Sequence, residues 1–382
     1  MERKQLTALA VCNLGLYTGW IMALILLPVY AQRLGMDAGA TGVYLGLAFT
    51  AITIGALSSG WFSDRFQRRK RTILVVSVIS IPLTYLIGQV SSIPLLIACT
   101  LLTWFATGIA TTMINILTGM YAEPRQRGRV FGVIATTSSL AQVIGGFAAG
   151  AIVDRWGFSG LFSAISLIWL VAIGAALFLD DSKRSAGQHE QRASAIPLGK
   201  AIWLLLLANT LMWITSFGSG LVRPLMMNGL GFDASAISSV TTVSGLVSLP
   251  LPFVVGWLSD RIGRRLLLIV SYGLASLGML LLIAALGLWQ FWLSASMFTL
   301  AGGMAGVANA FVTDLAAPQA LSRALASFAA TPWIAGIIGY AVTGLIIQSL
   351  GLPETLLISA ALPVFSIPAI LRIRRDRQMA AA

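Results

Sequence analysis

Twelve apolar stretches separated by short polar breaks leave this chain very few ways to fold. They run approximately over 7–31, 40–62, 72–90, 94–117, 130–153, 160–179, 200–224, 235–258, 266–287, 289–312, 323–347 and 353–371. About 20 apolar residues are what a helix needs to cross a bilayer. In hydrocarbon each segment must satisfy its own backbone polar groups, so an open chain of such segments becomes a set of helices. Only 10% of the 382 residues are charged and 57% are hydrophobic. A soluble protein of this size carries about 25% charged residues, so most of this chain's outer surface must face lipid. The expected class is therefore an all-α membrane protein with twelve transmembrane helices. Met1-Glu2-Arg3-Lys4 leads straight into the first stretch, which reads as a span rather than a removed leader.

The charges are distributed as a membrane topology requires. With twelve spans, 22 of the 25 Lys and Arg residues fall on the side of the two termini. Only Arg33, Arg155 and Arg223 fall on the other. The positive-inside rule then predicts cytoplasmic termini in a cell membrane. The net charge of +12 does not point to nucleic acid, because the basic residues form short clusters between apolar runs. Cys12 and Cys99 lie inside apolar runs, and the single histidine, His189, lies in the most polar loop. No metal site, disulfide or cofactor is expected from that inventory. No phosphate-binding loop or catalytic constellation appears, which argues against an enzyme or an ATP-driven pump.

The chain also repeats itself. At an offset of 196, Asn13 matches Asn209, Pro28 matches Pro224, and Leu34-Gly35-Met36-Asp37-Ala38 matches Leu230-Gly231-Phe232-Asp233-Ala234. Gly60-Trp61-Phe62-Ser63-Asp64-Arg65 matches Gly256-Trp257-Leu258-Ser259-Asp260-Arg261. At an offset of 194, Pro124, Arg129, Gly150 and Gly157 match Pro318, Arg323, Gly344 and Gly351. Two pseudo-symmetric six-helix bundles follow, over 1–179 and 200–382, with 180–199 as a polar linker. Parallel repeats of this kind suit a transporter whose halves rock about a midplane site.

The run Gly60-Trp61-Phe62-Ser63-Asp64-Arg65-Phe66-Gln67-Arg68-Arg69 resembles the loop signature of the major facilitator superfamily, Gly-x-x-x-Asp-Arg-x-Gly-Arg-Arg. The copy at Gly256, Asp260, Arg261, Gly263, Arg264 and Arg265 matches it throughout, while the first copy departs at Gln67. The resemblance implies a conformational switch: Asp64, with Arg65 and Arg69, braces the cytoplasmic face, and Asp260, Arg261 and Arg265 form the second set. Ala141-Gln142-Val143-Ile144-Gly145-Gly146 partly resembles the export motif of the family's drug antiporters. Close helix packing accounts for the same small residues.

Candidate cargo-binding residues sit at helical spacing on single faces. Asn13, Tyr17 and Trp20 mark span 1, and Asn209, Trp213 and Ser216 mark span 7. Trp104, Thr107, Thr111 and Asn115 mark span 4, Phe298 and Asn309 span 10, and Gln142 and Trp333 spans 5 and 11. The resemblance implies that spans 1, 4, 7 and 10 line the cavity. An interhelical hydrogen bond is the other reading of each asparagine, and packing that of each tryptophan. All thirteen acidic residues lie in loops or near span ends, so protons as the coupling ion lack a midplane carboxylate. Arg223 either lines the mouth of a cavity or snorkels to the interface. The expected function is secondary transport of a small neutral or amphipathic molecule by a monomer, as a multidrug-efflux-like exporter. Import or facilitated diffusion of a neutral solute such as a sugar is the alternative.

Overall fold

The computed structural model describes residues 3–66, 68–122, 127–181, 198–317 and 320–373. Spans 1 to 4 are α1 (Arg3–Arg33), α2 (Ala38–Phe66), α3 (Arg69–Ile87) and α4 (Ile93–Tyr121). Spans 5 and 6 are the two arms of α5 (Arg127–Leu177), broken at Gly157, where φ is 67° and ψ −172°. Span 7 is α6 (Lys200–Gly229). Span 8 is a pair, α7 (Ala234–Ser248) and α8 (Leu251–Ile262), bent by 49°. Span 9 is α9 (Arg264–Leu280) with a short 3-10 turn after it, and span 10 is α10 (Leu288–Gly303) followed by α11 (Ala305–Leu315). Spans 11 and 12 are α12 (Leu321–Leu350) and α13 (Leu352–Arg372).

Among the described residues, ten helical runs are long and apolar enough to cross a membrane, eleven with the bent pair counted as one. One of these runs is α5, which holds two spans either side of Gly157, so the total is twelve. The breaks within spans 8 and 10 interrupt stretches that the sequence predicts as continuous. Pro250 and Pro252 remove backbone donors at the first, and Gly302-Gly303 weaken the helix at the second. Both breaks border the cavity described below, where irregular backbone in a membrane protein is tolerated.

The repeat is visible in the geometry. Gly35 and Gly231 both adopt positive φ, at 94° and 82°, as do Gly157 and Gly351. An L side chain is disfavoured there, which is why glycine recurs at both copies. Asp37 caps α2 by accepting from the Ala40 N–H at 2.7 Å, and Asp233 caps α7 by accepting from Ala236 N–H at 2.7 Å. Asn13 Nδ2 donates to Thr137 Oγ1 at 2.8 Å, tying α1 to α5, and Asn209 Nδ2 donates to Thr331 Oγ1 at 2.5 Å, tying α6 to α12. Thr137 and Thr331 are themselves 194 residues apart.

The bundles meet along two equivalent seams, α2 against α12 and α5 against α7. A Cβ at Gly42 would collide with Gly344 and the Tyr340 carbonyl, and one at Gly150 would collide with Ser238 and the Ala234 carbonyl. Glycine is thus required for the backbones to approach this closely. Near the seams, at the end away from the termini, Gln348 Nε2 donates to Asp37 Oδ2 at 2.9 Å. Asp154 accepts from the Ala234 N–H at 3.1 Å, from the Ser235 N–H at 2.9 Å and from the Ser235 hydroxyl. A carboxylate of one bundle therefore sits at the helix N-terminus of the other, where the macrodipole favours it. Asn228 donates to Gln32, its own equivalent in the repeat, at 3.4 Å. The end away from the termini is closed by these contacts.

Many hydroxyls inside the spans are satisfied within their own helices. On α4, Thr103, Thr107 and Thr111 each donate to the carbonyl four residues back, at 2.8, 2.9 and 2.9 Å. That pattern explains how a polar stripe can lie on a buried helix without any ligand.

Candidate functional site

Between the bundles lies a cavity of about 970 Å³. Trp20, Ile21 and Leu24 of α1 and Gln142 of α5 form its wall on one side. Spans 7, 8, 10 and 11, with Arg264 of span 9, supply the rest, so the second bundle contributes most of the surface. Trp213 and Phe217 stand on α6, Phe298 on α10 and Tyr340 on α12. Toward the terminal end the lining runs out to Gly256, Ser259 and Arg264. At the closed end it stops at Arg223 and Tyr340, under the seams.

Five aromatic residues, Trp20, Trp213, Phe217, Phe298 and Tyr340, stand in the wall. Trp213 packs on Phe217 with ring centroids 5.8 Å apart, and Phe217 packs on Tyr340 at 5.8 Å. Phe49 lies behind them, 4.9 Å from Phe217 and 5.1 Å from Tyr340. This cluster joins α2, α6 and α12, and therefore both bundles. Around it are hydroxyls from Ser216, Thr241, Ser244 and Thr299. No carboxylate lines the cavity among the described residues.

The predicted cargo residues divide into two groups. Trp20, Gln142 and Trp213 line the cavity, as do Ser216 and Phe298. Asn13 and Asn209 are buried, at 3% and 1% exposure, in the interhelical hydrogen bonds described above. Trp104 lines a separate pocket of about 30 Å³ within the first bundle, 6.1 Å from Trp20. Tyr17 packs edge-on to Trp20 at 5.9 Å. Thr111 bonds its own helix, and Asn115, Asn309 and Trp333 are exposed outside the lining. The periodicity marks polar faces but does not say which of them are already paired.

Arg223, which the sequence marks as a departure from Leu27 in the repeat, lines the cavity. The residues that periodicity missed are Phe217, at Ile21's place, and Tyr340, at Gly146's. A wider comparison of the two copies for departures, rather than matches, would have found both.

Both copies of the loop motif lie at the terminal end. Arg69 is buried at 2% exposure, with Nη1 4.0 Å from Asp181 Oδ1, and the Lys70 N–H donates to Asp181 Oδ2 at 3.1 Å. Burial pushes the Asp181 carboxyl up from its ordinary value, against the opposing pull of the Lys70 N–H and of Arg69. Gly60 has open space around its Cα, and Arg65 is exposed. In the second copy, Gly263 takes a φ of 84° that favours glycine. Arg261 lies over the Trp257 ring at 4.1 Å, and Arg265 donates to the Leu371 carbonyl. Arg264 bonds the Ala310 carbonyl at 2.8 Å and Asp314 at 2.5 Å, tying α9 to α11. Gln67 and the side chains of Asp64 and Asp260 lie outside the described residues.

Sequence profiles of the Major Facilitator Superfamily match residues 9–223 and 205–381, nearly the whole chain. The chain belongs to the Major Facilitator Superfamily. It is a multi-pass membrane transporter of small molecules and not an enzyme. The multidrug resistance protein MdtL of Shewanella sp. (strain ANA-3) is 23% identical over 368 residues, 93% of this chain and 90% of that protein. The gallate transporter of Pseudomonas putida is 25% identical over 69% of this chain and 67% of that protein. A crystal structure of a bacterial homologue of the human lysosomal transporter Spinster, inward-facing and unoccupied, superposes with a TM-score of 0.77 at 14% identity, covering 97% of each chain.

In this transporter the two buried asparagines are expected to act on stability. Truncating one member of an interhelical hydrogen bond in a membrane costs about 0.6 kcal/mol, rarely above 1.7 kcal/mol. Asn13→Ala and Asn209→Ala should each lower the melting temperature while leaving the apparent substrate constant within about twofold. A raised substrate constant at unchanged melting temperature would return these amides to the binding site.

Proposed function

We propose that this transporter exports small amphipathic organic molecules from the cytoplasm by alternating access through the cavity between its bundles. The observation that carries the reading is the cavity itself. It carries five aromatic side chains in its wall, is built mainly from the second bundle, and reaches the end where the termini lie. The excess of Lys and Arg at that end supports a cytoplasmic placement of both termini. With that orientation the cavity takes its cargo from the cytoplasm. The two bundles, 1–179 and 200–382, then rock about it, with 180–199 as the link and a monomer as the working unit. The switch motifs brace the cytoplasmic face when the cavity opens outward, with Gly60, Asp64, Arg65 and Arg69 in one copy and Gly256, Asp260, Arg261 and Arg265 in the other.

A wall of aromatic and aliphatic side chains with scattered hydroxyls holds a ligand mainly by apolar area and shape. The relation to MdtL, named for multidrug resistance, and the Gly145-Gly146 stretch of span 5 support export. The gallate transporter among the relatives supports the second reading, uptake of an aromatic solute.

Direction is tested by loading cells with a neutral, a cationic and an anionic aromatic dye. Expression should speed efflux of at least one and lower its steady-state level. A rise in accumulation for every dye that responds would reverse the assignment.

A further inference from the structure

We propose that Arg223 is the recognition group for an organic anion, so that the cargo is an aromatic or otherwise apolar molecule bearing a carboxylate. The proposal rests on the reading of the cavity as the cargo site and narrows it. Arg223 sits on α6 six residues before its end at Gly229, about 9 Å at a rise of 1.5 Å per residue. A snorkelling arginine would extend toward that nearer interface. This one turns the other way. Its Nε donates to the Ser219 carbonyl at 3.1 Å and its Nη2 to the Ser219 hydroxyl at 3.0 Å, one turn deeper in the helix. The guanidinium carbon lies 5.4 Å from the centre of the Phe298 ring across the cavity.

Those contacts fix the plane of the guanidinium without neutralising it. Among the described residues Nη1 has no protein acceptor, and no carboxylate lies within ion-pair distance. The other cavity arginine, Arg264, is already paired with Asp314 at the opposite end. An unpaired charge at membrane depth is costly and signals a partner that arrives from outside the protein. Packing does not require it, since Leu27 fills the equivalent place in the first bundle. Arginine presents a planar fork that matches a carboxylate.

The neighbouring polar groups agree in sign. The indole N–H groups of Trp20 and Trp213, both residues of the cavity wall, are buried with no acceptor among the described residues. The two buried wall groups without a partner are therefore both donors, which suits a ligand that brings acceptors. The rings of Trp213, Phe217 and Phe298 supply a surface for its apolar body.

The test compares 1-naphthoate with its neutral amide, 1-naphthamide, on the purified full-length protein in detergent. Binding is read by quenching of tryptophan fluorescence. Saturable binding of 1-naphthoate, at least about tenfold tighter than 1-naphthamide, is the expected result, since a charge-assisted contact carries that much. Arg223→Gln should bring the two affinities together by weakening 1-naphthoate alone. Arg223→Lys should recover part of the difference, which shows that a folded cavity remains. Equal binding of the two compounds, no saturable binding of either, or an unchanged preference in Arg223→Gln would overturn the proposal. Binding in detergent does not depend on transport direction. A failed export assay with an intact charge preference would therefore overturn the export reading and leave this one standing.

Discussion

Replacing Asp154 by alanine is expected to open the far end of the transporter. The carboxylate accepts three hydrogen bonds at the start of α7, two from backbone N–H groups and one from the Ser235 hydroxyl. All three cross from one bundle to the other, so they exist only while that end is closed. Hydrogen bonds to a charged group contribute about 1.5–3 kcal/mol each when lost singly. A loss of about 3 kcal/mol changes a two-state ratio roughly 150-fold. The inner fold of each bundle loses nothing. Spin labels at Trp156→Cys and Leu230→Cys, exposed positions on opposite bundles at this end, would report the change. In the parent protein the short distance should dominate, and in Asp154→Ala a longer one should become the major population. An unchanged distribution would mean that the glycine seams alone hold the end shut.

A larger effect is expected at Gly344. The atoms nearest to a Cβ placed there are the Ala38 carbonyl oxygen, at 2.5 Å, and the Gly42 Cα, at 2.7 Å, both on α2 of the other bundle. Valine would have to displace backbone rather than a flexible side chain. Overpacking costs about 1–3 kcal/mol where side chains can yield, and backbone yields less readily. The penalty falls on the closed arrangement only, because no atom of Gly344's own bundle is among those nearest. Gly344→Val should therefore reduce transport by more than about tenfold while the protein remains folded and expressed. Gly174 has open space around it and supplies the control. Gly174→Ala should transport normally. Comparable transport in Gly344→Val would show that the α2–α12 seam does not need to close.

Spans, short connections and duplication were legible in the sequence because each has a one-dimensional signature. Apolar length fixes the spans, and Gly35 and Gly231 recur because the same positive φ recurs. The cavity was legible only in part. Trp20 and Trp213 could be placed because they share a face with other polar residues. Asn13 looked like a ligand-binding amide, but its role depends on Thr137 and Ser138, more than 120 residues away. A polar residue's partner is a tertiary fact that helical spacing does not contain. Arg223 shows the same limit from the other direction. Its charge could be read, but its orientation depends on Ser219 one turn below and on Phe298 of another helix. The breaks in spans 8 and 10 were written in Pro250, Pro252 and Gly302-Gly303, yet proline and glycine also occur in unbroken spans such as α1 and α6.

Alternating access makes its sharpest claim about a single residue inside the cavity. Ser244 lines it, near both Arg223 and the seams. In a background lacking Cys12 and Cys99, Ser244→Cys can be exposed to a membrane-impermeant maleimide from either side of a sealed vesicle. The expected result is labelling from the side of the termini in the parent protein, and from the opposite side once Gly344→Val is added. Labelling from the terminal side in both, or from neither side in either, would contradict a cavity that opens alternately to the two faces of the membrane.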